Sequence, residues 1–303
     1  MELVRIDGGY IVAAPGPLES GFQRLIVRTP ASIPLCAYDS DPGGRREPLI
    51  FAPPVGVPIA ALADVLAYLA AEFRVITWDT RGYPSVNDGF DGMAISIAAH
   101  VDDLLAVREE CDVGAAHIVG YCGGAAVALA AAVRCRGAFR GCALVCGAFN
   151  LRAVAGENSF TRTASDMFEL LGASREAAGR YGPVAAQMLK SAQWDGVYEG
   201  IPHKELFKSR IHFVYEYPET LYRYARMQSA LCQEHVVQWF GCAPPGVLVV
   251  YVADDNIVPP DWGRYAGEFL ADAQTVVFPS GGHWALCKDR LIADRLIEYC
   301  RRR

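Results

Sequence analysis

A cysteine flanked by glycines is the residue of this chain best suited to chemistry. The segment Gly120-Tyr121-Cys122-Gly123-Gly124 follows a short apolar run typical of a buried strand and precedes an alanine-rich run typical of a helix. A nucleophile at such a sharp turn stands exposed at the helix N-terminus, where the helix dipole favours a thiolate. We therefore predict that Cys122 is a nucleophile and that the backbone amide of Gly123 donates a hydrogen bond to an oxyanion. Taken alone, the pattern also fits an inert cysteine in a glycine-rich turn.

A nucleophilic cysteine needs a histidine base and an acid that orients the histidine. Gly281-Gly282-His283-Trp284 follows the last predicted strand, so we expect His283 to accept the thiol proton. Asp254 and Asp255 both follow the preceding strand, and both are candidates for the acid. Asp255 fits better because the run Asp255-Asn256-Ile257-Val258-Pro259 places it at the turn after the strand. The order nucleophile, acid, base is the order of an α/β-hydrolase.

The other five histidines are weaker candidates for the base. They lie in a helix and a strand before the cysteine or in a long central segment, where surface and packing roles are more common: His100, His117, His203, His212 and His235.

Short apolar runs alternate with longer helical patterns along most of the chain, which predicts a mostly parallel, doubly wound α/β sheet. Predicted strands cover residues 48–52, 73–78, 116–119, 142–146, 247–253 and 275–278, and predicted helices cover residues 60–72, 94–110, 125–134, 262–270 and 288–299. The first 50 residues alternate apolar and polar positions, as in Tyr10-Ile11-Val12 and Leu25-Ile26-Val27, which favours short antiparallel strands.

The alternation stops between the strands at 142–146 and 247–253. We predict that residues 150–241 form a helical lid inserted into a core made of residues 1–149 and 242–303. This segment is dense in aromatic residues. Any one of them most often packs in a core, although Tyr215, Tyr217, Tyr222 and Tyr224 could together border a pocket for an acyl group.

With these motifs in place, the chain resembles the α/β-hydrolase superfamily over nearly its whole length. Asp79-Thr80-Arg81-Gly82 is similar to the family's Asp-x-Arg-Gly turn, and residues 150–241 stand where the family carries its lid. Pro53-Pro54-Val55-Gly56 stands where members usually have His-Gly. The resemblance implies that Val55 supplies the second amide of the oxyanion hole.

Most members of this superfamily have serine where this chain has Cys122. The cysteine resembles that of dienelactone hydrolases, of polyhydroxyalkanoate synthases and of the aminoacyltransferases that serve carrier proteins in nonribosomal peptide assembly. The first group lacks such an insertion, and the second carries an N-terminal region not seen here. The resemblance therefore implies acyl or aminoacyl transfer between a small-molecule acyl substrate and the pantetheine thiol of an acyl or peptidyl carrier protein. A thiol-dependent hydrolase or thioesterase is the alternative, and a binding protein with a decayed triad is a third.

Composition excludes several other classes of protein. The 303 residues are 52% hydrophobic and 20% charged, as expected of a folded globular chain. The net charge of −6 argues against binding nucleic acid. No apolar run approaches the roughly 18 residues of a membrane span, and no signal-peptide pattern opens the chain, which predicts a cytoplasmic location.

We also expect no resident cofactor and no metal. The chain has no Gly-x-Gly-x-x-Gly or phosphate-loop motif, and its ten cysteines include no Cys-x-x-Cys pair. Without a secretion signal, these cysteines are predicted to be reduced thiols.

Overall fold

The computed structural model describes residues 2–5, 11–14, 18, 21–84, 89–189 and 196–303. Two antiparallel strands, β1 (Glu2–Arg5) and β2 (Ile11–Ala14), pair with each other in a small separate sheet. Tyr10 of the predicted strand lies outside the described residues.

The main sheet has eight strands in the order β10-β9-β8-β7-β5-β6-β4-β3. They are β3 (Gln23–Arg28), β4 (Pro34–Asp39), β5 (Pro48–Ala52), β6 (Arg74–Trp78), β7 (Ala116–Tyr121), β8 (Phe139–Val145), β9 (Leu248–Val252) and β10 (Gln274–Phe278). Only the pairs that involve β4 are antiparallel within this sheet. The predicted α/β class with a mostly parallel sheet is confirmed.

Helices cover both faces of the main sheet. They are α1 (Ala63–Ala70), α2 (Ile97–Glu110), α3 (Gly123–Arg134), α9 (Pro260–Phe269), α10 (Ala285–Lys288) and α11 (Leu291–Arg301). Alternate residues of β5 belong to different apolar clusters: Leu49 packs with residues of α1 and α11, whereas Ile50 packs with residues of α2, α3 and α9. Because side chains alternate across a strand, the two clusters are two layers of core, one on each face.

The segment between β8 and β9 is helical. It contains α4 (Arg152–Ala155), α5 (Ser159–Gly172), α6 (Arg175–Leu189), α7 (Lys204–His212) and α8 (Pro218–Gln233). Asn158 begins α5 with a capping box, since its side chain accepts from the Thr161 amide at 2.8 Å while Thr161 accepts from the Asn158 amide. The helical character matches the expectation for a lid, and its domain boundaries at 150 and 241 stay a prediction.

Ion pairs link α8 to the core through α6. Arg175 of α6 donates to Asp91 of the core at 2.8 Å and is also paired with Glu219 of α8. Glu219 in turn accepts from Arg223 at 2.9 Å, and both of these side chains are buried. Removing one partner of such a pair leaves a buried charge uncompensated. The helix that overlies the site described below is thus connected to the core through Arg175.

No helix among the described residues is both long enough and apolar enough to cross a membrane.

Candidate active site

Cys122 lies at the turn between β7 and α3 with backbone angles of φ 55° and ψ −122°. A positive φ is strained for any residue with a side chain. The amide of Cys122 donates to the carbonyl of Val145 on the neighbouring strand at 3.0 Å, which holds the strained turn in place. The half-buried thiol faces a cavity at the carboxyl edge of the sheet. This is the geometry that the glycine-flanked motif predicts.

The two outer glycines of the motif allow close backbone approach. A Cβ atom on Gly124 would lie 2.1 Å from the carbonyl oxygen of Ala52, and one on Gly120 would lie 2.4 Å from the carbonyl oxygen of Gly124. Both obstacles are backbone atoms, so a side chain could fit only if the helix moved away from the sheet.

We expect Gly124→Ala to destabilise the fold by at least about 1–3 kcal/mol, since overpacking against backbone leaves no flexible atom to yield. Gly114→Ala is the matched control, because a Cβ atom there meets no atom within 4 Å. Urea unfolding of both variants measures the difference. Equal unfolding free energies of the two variants would contradict the close approach seen at the turn between β7 and α3 that carries Cys122, which we call the elbow.

His283 and Asp255 form a buried pair. The Nδ1 atom of His283 lies 2.9 Å from Oδ2 of Asp255, and both side chains are 2% exposed. The other carboxylate oxygen of Asp255 accepts from the amides of Ile257 and Val258, each at 2.9 Å. These two amides therefore fix the carboxylate that orients the ring.

Asp254, the other candidate acid, points elsewhere. Its exposed carboxylate accepts from the amides of Gly281 at 3.2 Å and Gly282 at 2.7 Å. Asp254 therefore shapes the loop that carries His283, whereas Asp255 contacts the ring itself.

The environment of His283 favours the charged ring. Burial alone lowers the pKa of His283, but the negative charges of Asp255 and of a Cys122 thiolate outweigh it and raise the pKa to about 10. The raised pKa makes the ring a stronger acceptor of the thiol proton. The role of His283 as the base stays a prediction.

The pKa of His283 is expected to be lower in the Cys122→Ala variant than in the parent protein. The variant loses the thiolate charge and keeps the burial and Asp255. Titration of the ring nitrogens by ¹⁵N NMR measures both values. An unchanged pKa would show that Cys122 does not interact with the ring.

The raised pKa of His283 makes the free energy of unfolding depend on pH. Because the folded-state pKa of His283 is raised above its ordinary value of 6.5, its contribution to stability is complete below about pH 6.5. That contribution is lost as the pH rises toward about 10. Asp255→Asn should weaken this dependence, and urea unfolding between these pH values measures it.

Two residues that the sequence analysis does not single out support His283. The Tyr121 hydroxyl donates to the His283 carbonyl at 2.6 Å, and the two rings stack with centroids 5.7 Å apart. Cys146 lies beside Asp255, and its thiol hydrogen-bonds the carboxylate. Tyr121 directly precedes Cys122 in the sequence, and this position could have indicated its role. Cys146 carries no such signal.

Cys146 also corrects a predicted element boundary. The apolar run predicts a strand that ends at Cys146, but β8 ends at Val145 and Cys146 has a φ of 45°. The Cys146 amide donates to the carbonyl of Val250 at 2.9 Å, so the chain stays bonded to the sheet as it turns. This turn brings the thiol to the catalytic edge.

Ligand atoms of Cys146, Asp255 and His283 lie within 4.8 Å of one another, a spacing that could hold a metal ion. These groups already hydrogen-bond one another, however, and burial raises the pKa of the Cys146 thiol well above its usual range. Metal binding requires a thiolate and a neutral histidine. The chemistry of this cluster therefore fits a hydrogen-bonded support better than a metal site.

The predicted oxyanion amides lie on adjoining segments. A Cβ atom on Gly123 would lie 3.3 Å from Cγ2 of Val55, so the start of α3 adjoins the turn after β5. The Gly56 amide donates to the Thr80 hydroxyl at 2.9 Å, which fixes that turn. Gly123 is the first residue of its helix, where amides have no intrahelical acceptor. Both Val55 and Gly123 line the cavity that Cys122 faces.

This cavity has a volume of about 150 Å³ and lies between the elbow and the inserted helices. Its walls are largely apolar and include Val57, Phe160, Phe168, Ile211 and Leu231. The polar lining residues include Asn150, Arg152 and Gln228. Such a space suits an acyl group with few polar atoms.

Two of the four tyrosines that could border an acyl pocket line this cavity. Tyr215 and Tyr224 are among its lining residues. Tyr222 instead donates its hydroxyl to Asp91 at 2.9 Å, and Tyr217 packs against Phe213 outside the cavity.

Comparison with known proteins identifies relatives of this fold. A model of the alpha/beta hydrolase family matches residues 42–287. An esterase from Exiguobacterium antarcticum superposes with a TM-score of 0.74 at 16% identity, over 92% of this chain and 100% of that one. The 2-hydroxy-6-oxo-6-phenylhexa-2,4-dienoate hydrolase from Rhodococcus sp. strain RHA1 superposes with a TM-score of 0.67 at 20% identity, over 92% and 99%. No curated protein matches the sequence.

Proposed function

Because the chain belongs to the alpha/beta hydrolase family, we propose that it transfers an acyl or aminoacyl group through a thioester formed on Cys122. The observation that carries this proposal is a cysteine at a strained elbow, with the buried His283–Asp255 pair beside it and an apolar cavity in front. The acyl donor is a thioester, and the acceptor is the pantetheine thiol of an acyl or peptidyl carrier protein.

Acylation begins when His283 accepts the proton of the Cys122 thiol, which leaves a thiolate beside a protonated ring. The sulfur attacks the carbonyl carbon of a donor thioester, a carbon–sulfur bond forms, and the carbonyl electron pair moves to oxygen. The amides of Gly123 and Val55 stabilise this oxyanion. When the intermediate collapses, the donor sulfur leaves and takes the proton from His283. Asp255 holds the ring so that its Nε2 atom faces the reacting sulfurs.

Deacylation reverses these steps with a new thiol. His283, now neutral, accepts the proton of the acceptor thiol, whose sulfur attacks the acyl-Cys122 carbonyl. Cys122 leaves as a thiolate and His283 is again protonated. One thioester is exchanged for another, so the reaction is close to balanced, and the positioning of the acceptor determines the outcome.

The largely apolar cavity supports a thiol acceptor over water. His283 is 2% exposed, and α8 lies over the elbow with Leu231 against Gly123. Limited access of water lengthens the life of an acyl-cysteine. A serine ester would be more stable than the thioester, which would make the return of the acyl group to a thiol unfavourable.

Hydrolysis of the acyl-Cys122 intermediate is the second candidate function. The likeness to an esterase and a dienoate hydrolase favours it, although at this level of identity the likeness concerns the fold. The same three side chains would then activate water in place of a thiol.

The ratio of acylated carrier to free acid tests the proposal. The enzyme is mixed with acyl and aminoacyl thioesters of N-acetylcysteamine, with and without a carrier protein bearing a free pantetheine thiol. Chromatography with mass detection then measures free acid and acylated carrier. We expect carrier acylation to exceed hydrolysis. Free acid as the sole product, at a rate that the carrier does not change, would favour the hydrolase.

A further inference from the structure

One face of α8 lies against the predicted oxyanion hole. Tyr224, Gln228 and Leu231 are spaced so that they share this face. Gln228 donates to the Val55 carbonyl at 2.8 Å, and Leu231 lies against Gly123. Through these contacts the helix touches both segments that carry the oxyanion amides.

Tyr224 occupies the turn of the helix before Gln228. A Cβ atom on Gly56 would lie 2.8 Å from Cδ2 of Tyr224, so the absence of a side chain at Gly56 leaves room for this ring. Tyr224 also lines the cavity together with Cys122. The ring is therefore fixed beside the residue that follows Val55.

The tyrosine hydroxyl lies in an apolar space near the nucleophile. Burial raises the pKa of Tyr224 above its usual range, its interaction with Tyr215 opposes that rise, and the charge of Cys122 adds to it. Tyr215 packs edge-on against Tyr224 with ring centroids 5.5 Å apart. Burial, and after it the interaction with Tyr224, raises the pKa of Tyr215 well above its usual range. A tyrosine hydroxyl can accept one hydrogen bond and donate another. Tyr224 can therefore contact Tyr215 and still donate to a substrate in the cavity.

We propose that the Tyr224 hydroxyl donates a hydrogen bond to the carbonyl oxygen of the acyl group as Cys122 attacks it, beside the amides of Val55 and Gly123. The inference rests on the proposed acyl-Cys122 chemistry. It adds to that chemistry a side-chain donor from the inserted segment, which would let the lid complete the oxyanion hole.

The test compares Tyr224→Phe with Tyr217→Phe. Each variant loses one hydroxyl group, and Tyr217 lies outside the cavity lining. The measurement is the single-turnover rate of Cys122 acylation by hexanoyl-N-acetylcysteamine, followed by intact-protein mass spectrometry. We expect Tyr224→Phe to lower this rate constant by about 10- to 100-fold, in the range of one lost oxyanion donor, and Tyr217→Phe to change it by less than about twofold.

An aldehyde provides a second measurement that needs no turnover. The thiolate of Cys122 adds to the carbonyl carbon of hexanal, the C=O π bond opens, and the negative charge moves to the oxygen, with no leaving group. We expect the dissociation constant of this adduct to rise about tenfold or more in Tyr224→Phe, while the thermal unfolding midpoint stays near that of the parent protein.

The outcomes separate the inference from the proposed function. Acylation and hexanal binding within about twofold of the parent protein in Tyr224→Phe would overturn the role of Tyr224 and leave the acyl-Cys122 chemistry intact. A parent protein that neither acylates with thioester donors nor binds hexanal at Cys122 would overturn the proposed function, and the role of Tyr224 with it.

Discussion

Replacing Cys122 with alanine is expected to lower the turnover of an acyl thioester by at least about four orders of magnitude. The variant keeps the cavity, the oxyanion amides and the His283–Asp255 pair, but it has no atom that can form the covalent intermediate. Steady-state release of the donor thiol, followed with a thiol-reactive dye, measures the loss.

Cys232→Ala is the matched control for this prediction. Cys232 lines the same cavity as Cys122 and is likewise half-buried, but it belongs to α8, and its thiol interacts with Arg152 and Ser165. We expect this variant to keep activity within a few-fold of the parent protein. If Cys122→Ala retained activity within tenfold, or if Cys232→Ala removed it, the assignment of the nucleophile would be wrong.

Asp255→Asn is expected to slow acylation of Cys122 by about 10³- to 10⁴-fold. An amide in place of the carboxylate removes the charge that helps to hold the proton on His283 and presents an NH₂ group to Nδ1. The ring then loses both its preferred tautomer and its orientation. Single-turnover mass spectrometry measures the acylation rate.

Asp254→Asn provides the comparison at the neighbouring position. Asp254 serves as an acceptor for the amides of Gly281 and Gly282, and an asparagine side chain keeps one acceptor oxygen. We expect its acylation rate to stay within about tenfold of the parent rate. A larger loss from Asp254→Asn than from Asp255→Asn would show that the acid is the other aspartate.

Much of the fold could be predicted from the sequence because local patterns and packing agree. The strands of the parallel part of the sheet are short apolar runs, since both faces are covered by helices, and Pro48–Ala52 has the same bounds in the structure as in the sequence-based prediction. The candidate site was also accessible from the sequence. Loops at the carboxyl ends of parallel strands meet at one edge, which brings Asp255 to His283 across 28 positions of the chain.

The remaining features depend on tertiary contacts that leave no local pattern. The turn at Cys146 follows an apolar run that is typical of a continuous strand. The chain turns there while the Cys146 amide is hydrogen-bonded to the carbonyl of Val250. The pKa of His283 reflects a balance between burial and two acidic neighbours. The spacing of residues in the sequence indicates neither the burial nor the neighbours. Likewise, the sequence pattern does not distinguish Tyr224 from Tyr215, Tyr217 and Tyr222. The packing of α8 on Gly56 distinguishes it.

Acyl transfer requires that Cys122 carries an acyl group and passes it to a thiol. Intact-protein mass spectrometry after mixing the enzyme with acyl and aminoacyl thioesters measures this step on the protein itself. We expect a mass increment of one acyl group on Cys122 that is absent from Cys122→Ala, persists in buffer, and disappears promptly when a carrier protein with a free pantetheine thiol is added. An increment that decays in buffer as free acid accumulates, at a rate no thiol changes, would contradict transfer. An increment of the same size in Cys122→Ala would contradict the nucleophile itself.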